Sequence, residues 1–254
     1  MSAENTQELP PLDLTEETAT VTAEGLGMRT GEGWVYRHVD LTASPGDVVE
    51  VRGSGGSGRS MLLLTLAGRA RPSTGTLSVF GQVHPAQIRP VAAVARVHDV
   101  IGPEPEQTVG QAMVERARWD RVHPGGSDGL GYRRDEVREL TGLVAADRER
   151  IAGLPRVEQT VIAVALALLS RPRLVLLDDL DVGLSATEQA RVWSALHTAA
   201  DADRAVMIAS TAGALPPDTP TRSTDPRGPG AAGALLPRFA RLVVDLHPTH
   251  VEES

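Results

Sequence analysis

Between Gly53 and Ser60 the chain reads Gly53-Ser54-Gly55-Gly56-Ser57-Gly58-Arg59-Ser60. Four glycines, a cation and a hydroxyl within eight residues are the materials of an anion cradle. Glycine lets the backbone turn back and approach a ligand closely. Successive N–H groups can then converge on one anion at a helix N-terminus. The spacing is that of the phosphate loop, G-x-x-x-x-G-K-[ST], with Arg59 in place of lysine and Ser60 where a hydroxyl ligates Mg²⁺. Arginine keeps the charge and replaces a point ammonium with a planar fork. All 25 cationic residues of the chain are arginines, so the exchange follows the general composition as well as a loosened constraint on the loop.

A second chemistry-bearing stretch is Leu174-Val175-Leu176-Leu177-Asp178-Asp179. A continuous apolar run ending in a carboxylate is the pattern of a central parallel strand. Beside a phosphate loop, Asp178 is suited to hold Mg²⁺, usually through water, because Mg²⁺ keeps its hydration shell. Asp179 follows it as a second carboxylate.

These residues need elements to place them. Residues 48–51 read as a buried strand and 59–67 as an apolar helix, the context a phosphate loop requires. Residues 18–23, 34–43, 76–80, 90–97, 173–177, 205–210 and 241–246 read as strands. In 34–43, Trp34, Tyr36, His38 and Asp40 alternate on one side. Residues 109–119, 133–144, 157–169 and 186–199 read as helices. Residues 123–131 are Gly-rich and read as a surface loop, and 215–233 are crowded with Pro, Gly, Ser and Thr and show no core pattern. Residues 1–17 form an acidic arm expected to be disordered, and 247–254 a polar tail.

Composition narrows the function classes. With 254 residues and 41% hydrophobic content, the chain suits one large α/β domain. No cysteine is present, which excludes disulfides and thiolate metal sites. A net charge of −8 speaks against a nucleic-acid partner. The polar, acidic start reads as no signal peptide. The longest apolar run, 161–169, falls short of the ~20 residues that span a bilayer. Any membrane role must come through a partner.

In order and spacing these pieces resemble the ATP-binding cassette (ABC) family over residues 18–246. The segment LLLTLAGRARPSTGTLSVFG after the loop, Thr108-Val109, ALALLSRP at 165–172, LVLLD at 174–178 and Gly183-Leu184 carry the resemblance. It implies a P-loop NTPase fold: a doubly wound, mostly parallel sheet, an N-terminal antiparallel β part, and a small helical subdomain over about 108–170. It also implies ATP and Mg²⁺ as cofactors, with Gly53 to Ser60 on the phosphates, Ser60 and Asp178 on the metal, Asp179 as the catalytic carboxylate and Trp34 or Tyr36 stacking on adenine. The implied partners are a membrane permease and a second cassette, as homo- or heterodimer. The implied location is the inner face of the cell membrane.

The family pattern is broken at several points. Asp179 stands for the glutamate that acts on the attacking water, and a displacement of about 1 Å can cost on the order of 10²-fold in rate; it is either a poor general base or a further carboxylate in the Mg²⁺ shell without catalytic use. The signature LSGGQ falls on Leu154-Pro155-Arg156-Val157-Glu158. The glutamine of the Q-loop falls near His98-Asp99, the switch histidine on Ala212, and the aspartate of the inter-cassette loop on Ser185. In the helical subdomain Arg116, Arg118, Arg121, Arg133 and Arg134 are candidates for contact with an acidic segment of the permease. The expectation is an ATP-binding transporter subunit with weak or partner-dependent hydrolysis. The alternative is an inactive pseudo-ATPase acting as a binding or scaffold module.

Overall fold

The computed structural model describes residues 20–97, 101–122, 129–212, 221–223 and 241–246. The chain runs β1 (Val21–Thr30), β2 (Gly33–Ala43), β3 (Val48–Gly53), α1 (Arg59–Leu66), β4 (Thr74–Val79), α2 (Pro85–Ile88), β5 (Ala92–Arg96), α3 (Val109–Trp119) and α4 (Leu130–Thr141). It continues with α5 (Arg156–Leu168), β6 (Leu174–Leu177), α6 (Ala186–Asp203), β7 (Val206–Thr211), β8 (Thr221–Ser223) and β9 (Arg241–Leu246). Strands β2-β1-β4 form an antiparallel sheet, and β5-β6-β7-β3-β9-β8 form a second sheet in which every pair is parallel.

The parallel sheet is covered on both faces, which is why its central strands are mostly apolar. Side chains alternate between the two faces with period two. Val49, Val51, Leu174, Leu176, Val206 and Ile208 belong to a core shared with α1 and the antiparallel sheet. Val48, Val175, Leu177, Met207 and Ala209 belong to a second core shared with α3 to α6. This is the doubly wound layout with an added antiparallel sheet. In such sheets ligands bind outside the carboxyl ends of the strands, where β3, β6 and β7 lead into the loop, Asp178 and Ala212.

The helix ends follow local chemistry. Thr108 and Gln111 form a capping box at the start of α3, as do Ser185 and Glu188 at α6. Gly142, at φ 64°, closes α4. That closure ends the helix at Thr141, short of the expected 144, and the helix also begins earlier, at Leu130.

Other boundaries differ for identifiable reasons. β1 runs on to Thr30 because it pairs on both edges, with β2 and β4. The simple alternation expected in 34–43 breaks at His38, whose φ is 55°. There the β1–β2 register shifts, so Tyr36 lies in the same core as Val39 and Leu41 rather than on the opposite side. The strand expected from Pro90 starts at Ala92; α2 and a 3₁₀ turn at Arg89–Val91 precede it, with prolines in their first positions. Within 215–233 a three-residue strand, β8, pairs with β9 through the backbone. Three residues are too few to show a period. The arm at 1–17, His98 and Asp99, most of the Gly-rich loop and the tail at 247–254 lie outside the described residues.

Candidate functional site

The loop after β3 closes tightly at its two ends and is open in the middle. Gly58 has φ 88°, and a Cβ there would collide with the carbonyl oxygen of Val35 in β2. A Cβ on Gly53 would likewise strike the Ser57 hydroxyl. No atom lies within 4 Å of the Cβ position of Gly55 or Gly56. The Ser57 N–H donates to the Ser54 carbonyl at 3.1 Å and fixes the turn. Helix α1 then starts at Arg59 with no side-chain cap, leaving its first N–H groups for another acceptor.

The order of the strands brings Asp178 to this loop. β7 lies between β3 and β6, so its last residues sit between the loop and the carboxylates. Asp178 is 0% exposed. The Ser60 hydroxyl donates to its Oδ2 at 2.5 Å, across 118 residues of sequence. The Ser210 hydroxyl donates to its Oδ1, and the Asp179 N–H also reaches Oδ1 at 3.1 Å. That same N–H donates to the Ser210 oxygen at 2.8 Å, so the Ser210 proton must go to Asp178. Three donors thus satisfy a fully buried carboxylate. Because the Ser60 proton points at Asp178, its oxygen lone pairs remain for a cation.

Asp179 has φ 47°. Aspartate is among the few residues that enter this left-handed region readily. The conformation is held by the bond from its N–H to Ser210 and by Arg96, whose Nη2 donates to the Asp178 and Asp179 carbonyls at 3.3 and 2.9 Å. Burial and then the nearby Arg156 charge lower the Arg96 pKa, while Asp179 and Asp178 act in the opposite direction. The Asp179 carboxylate meets Arg59: Oδ1 lies 3.0 Å from Nη2. The contact is an ion pair without aligned hydrogen bonding, since Asp179 Oδ1 and Arg59 Nη1 are both buried without a hydrogen-bond partner.

Among the described residues no group of three or more His, Cys, Asp or Glu could hold a metal ion. The oxygen pair Ser60 and Asp178 suits a hard cation that keeps several waters and takes its remaining ligands from phosphate, which is the habit of Mg²⁺. The open side of Gly55 and Gly56, the uncapped α1 and the orphaned Nη1 of Arg59 suit the phosphates of a nucleotide. The buried Ser57 hydroxyl is also without a partner.

The remaining sequence candidates divide. Trp34 precedes Val35, which touches the loop at Gly58, and its half-buried ring carries the Arg29 guanidinium at 5.8 Å from the centroid. Tyr36 is 1% exposed, and its hydroxyl donates to Thr65 at 2.8 Å. Burial raises its pKa against that hydrogen bond. It is a core residue with no face for a base. Pro155 precedes the first turn of α5, and Val157 and Glu158 point inward, leaving Arg156 exposed. Ser185 caps α6. The N–H of Ala212 donates to the Asp181 carboxylate at 3.0 Å.

Arg133 is not the surface cation expected; it is 2% exposed and saturated by internal acceptors. Ser210 and Arg96 were not singled out in the sequence. The polar pair Ser210-Thr211 ending the otherwise apolar strand β7 was the one available signal for Ser210.

A family model described as ABC transporter matches residues 36–181. An ABC transporter ATP-binding protein of Streptomyces avermitilis is 32% identical over 189 residues, covering 74% of this chain and 33% of that protein. The cytochrome c biogenesis ATP-binding export protein CcmA of Bordetella parapertussis is 32% identical over 196 residues, covering 77% of this chain and 84% of that protein. The chain thus spans about a third of the length of the first curated relatives it matches. Among solved structures, a dimeric ATP-binding cassette in a post-hydrolysis state with ADP and Pi superimposes with a TM-score of 0.60 at 19% identity, over 75% of this chain and 87% of that one. At that identity the likeness concerns the fold.

Proposed function

The chain belongs to the ABC transporter family, and from that premise we propose that it is a nucleotide-binding subunit that takes Mg-ATP on the loop Gly53–Ser60 and works with a separate membrane permease. The observation that carries this reading is the hydrogen bond between Ser60 and Asp178. It joins the loop hydroxyl and the strand-end carboxylate, the two oxygen donors that would hold Mg²⁺. Gly55 and Gly56 would admit the phosphates, Arg59 would supply charge to them, and Trp34, the residue before Val35, would offer a ring for the base. When bound, Mg²⁺ neutralises phosphate charge and polarises the phosphoryl group. No helix among the described residues is long and apolar enough to cross a membrane, so the reading places the chain against the membrane through its permease. A cavity of about 480 Å³ between Ile101–Pro105 and Ile151–Gln159 is a candidate contact for that permease, because Arg96 lines it and holds the carbonyls of both aspartates.

Hydrolysis in this reading is weak or depends on a second cassette. Asp179 is paired with Arg59 rather than open to a water, and Pro155 and Val157 remove an N–H and a close approach from the segment offered to the opposing subunit. Those two features favour a second reading, a pseudo-ATPase that binds nucleotide without turnover. Equilibrium binding of Mg-ATP to the purified chain, beside Arg59→Ala, tests the first step. Saturable binding that is lost in the variant is expected, with turnover below about 1 s⁻¹, the low end of ordinary enzymes. Binding unaffected by the variant would remove the loop from the site. Fast turnover without a partner would refute the attenuated reading.

A further inference from the structure

The two departures nearest the phosphates are not independent. Arg59 reaches further than the lysine of the motif, and Asp179 is one methylene shorter than the glutamate it replaces. In the structure they face one another, Nη2 to Oδ1 at 3.0 Å, with side-chain exposures of 11% and 17%. The pairing is poor, however. Arg59 Nη1 is buried with no acceptor, and Asp179 Oδ1 receives no aligned N–H. A buried guanidinium with an unused donor still costs the desolvation of that donor. An anion in the open loop would relieve the cost, because a phosphate accepts both arms of the fork.

We propose that Asp179 is the internal counter-ion of Arg59, and that nucleotide phosphate takes the guanidinium from it. The inference rests on the phosphate-loop reading given above and adds a coupling to it. Carboxylate and phosphate compete for one cation, so the empty chain is self-latched. Binding then does two things at once: it fills the loop, and it frees the Asp179 carboxylate beside Asp178 and Ser210. The backbone of Asp179 stays in place through Ser210 and Arg96, so only the side chain has to move. Asp179 acts here as a positioning residue through Arg59, and its removal affects binding in the direction opposite to that of a residue that contacts the ligand favourably.

The test is equilibrium binding of ATP with Mg²⁺ to the full chain, measured by calorimetry, in the wild type, Asp179→Asn and Asp181→Asn. Asparagine tolerates the positive φ of position 179, so the fold is kept; Asp179→Gly, which accepts that φ at no steric cost, serves as a second variant. Asp181→Asn removes an equal charge two residues on, without touching the ion pair. Removing the competitor raises the fraction of binding-competent chains, and we expect both position-179 variants to bind about tenfold tighter, with Asp181→Asn within about twofold of wild type. Unchanged or weaker binding at position 179 would overturn the latch and leave the phosphate loop standing. Equal tightening in Asp181→Asn would reduce the effect to general repulsion and also overturn it. No binding by any chain at millimolar nucleotide would sink the phosphate-loop reading, and the latch with it.

Discussion

Among the described residues, two arginine–aspartate pairs have both side chains largely buried, and they are built differently. Arg133 on α4 meets Asp203 at the end of α6 through two contacts, Nη2 to Oδ2 at 2.5 Å and Nη1 to Oδ1 at 3.3 Å. Its Nε and Nη2 also donate to the Leu168 carbonyl at 3.1 and 2.6 Å, and its Nη1 donates to Glu136 at 2.8 Å. Those five bonds use all the donors a guanidinium has. Arg59 has one contact with Asp179 and a buried Nη1 with none. A saturated arginine holds elements together, here the ends of α4, α5 and α6. An unsaturated one of similar burial is equipped to receive something else. The distinction lies in the acceptor count and not in the residue pair.

Replacing each arginine by methionine, which keeps an apolar stem, tests the distinction. Arg133→Met leaves Asp203 and Glu136 with only the half-exposed Arg171 as a cation and the Leu168 carbonyl without the two guanidinium donors. We expect a loss of about 3–5 kcal/mol in denaturant unfolding, the usual cost of breaking a buried, hydrogen-bonded pair. Arg59→Met removes one poorly aligned contact, and we expect a loss of about 1 kcal/mol or less, with nucleotide binding abolished. Equal stability losses at the two positions would show that acceptor count does not separate structural from ligand-ready arginines here.

Ser210 gives the intermediate case. It is fully buried, like Arg133, and it serves the candidate site, like Arg59. Ser210→Ala leaves Asp178 Oδ1 with only the Asp179 N–H and removes the oxygen that holds the strained residue 179. A loss of about 1–3 kcal/mol is expected from the deprived buried groups. The more telling readout is Mg²⁺: the gain in nucleotide affinity on adding Mg²⁺ should shrink, because Asp178 is no longer oriented. A stability loss with an unchanged Mg²⁺ increment would confine Ser210 to the fold.

What the sequence disclosed follows the same division between local and long-range causes. The loop, α1 and the apolar run ending in Asp178 are local patterns, and α3 spans the residues expected, 109–119, with a local capping box of Thr108 and Gln111 at its start. The pairing of Ser60 with Asp178 was approachable because both motifs are short and ordered along the chain. Ser210 and Arg96 were not legible. Their roles depend on β6 lying between β5 and β7, and on contacts spanning 32 and 82 residues, and no local pattern encodes strand order. The burial of Arg133 was missed for the related reason that charge on a helix face reads as solvated until the packing of α4 on α6 is known. Tyr36 was misplaced by a single bulge at His38, since a one-residue slip reverses every side chain beyond it.

A third set of pairs marks the solvent limit of the comparison. Asp147 accepts from Arg134 and from Arg138, the latter at 2.6 Å, but its side chain is 53% exposed. Its pKa is lowered overall: partial burial would raise it, and the hydrogen bonds and charges of Arg134 and then Arg138 outweigh that. A carboxylate whose folded pKa is depressed contributes stability above its unfolded value and loses it as pH falls through the folded one. Asp147→Asn should therefore be less stable than wild type at neutral pH by roughly 0.2–1 kcal/mol, since exposed pairs are screened. The gap should close as pH drops below the ordinary aspartate range, and narrow in high salt. Here the acceptors are well matched and the effect is still small, because water competes for every one of them. A gap at neutral pH as large as that of Arg133→Met, or one that widened on acidification, would mean that burial is not what gives saturated pairs their weight, and the contrast between Arg133 and Arg59 would then need another cause.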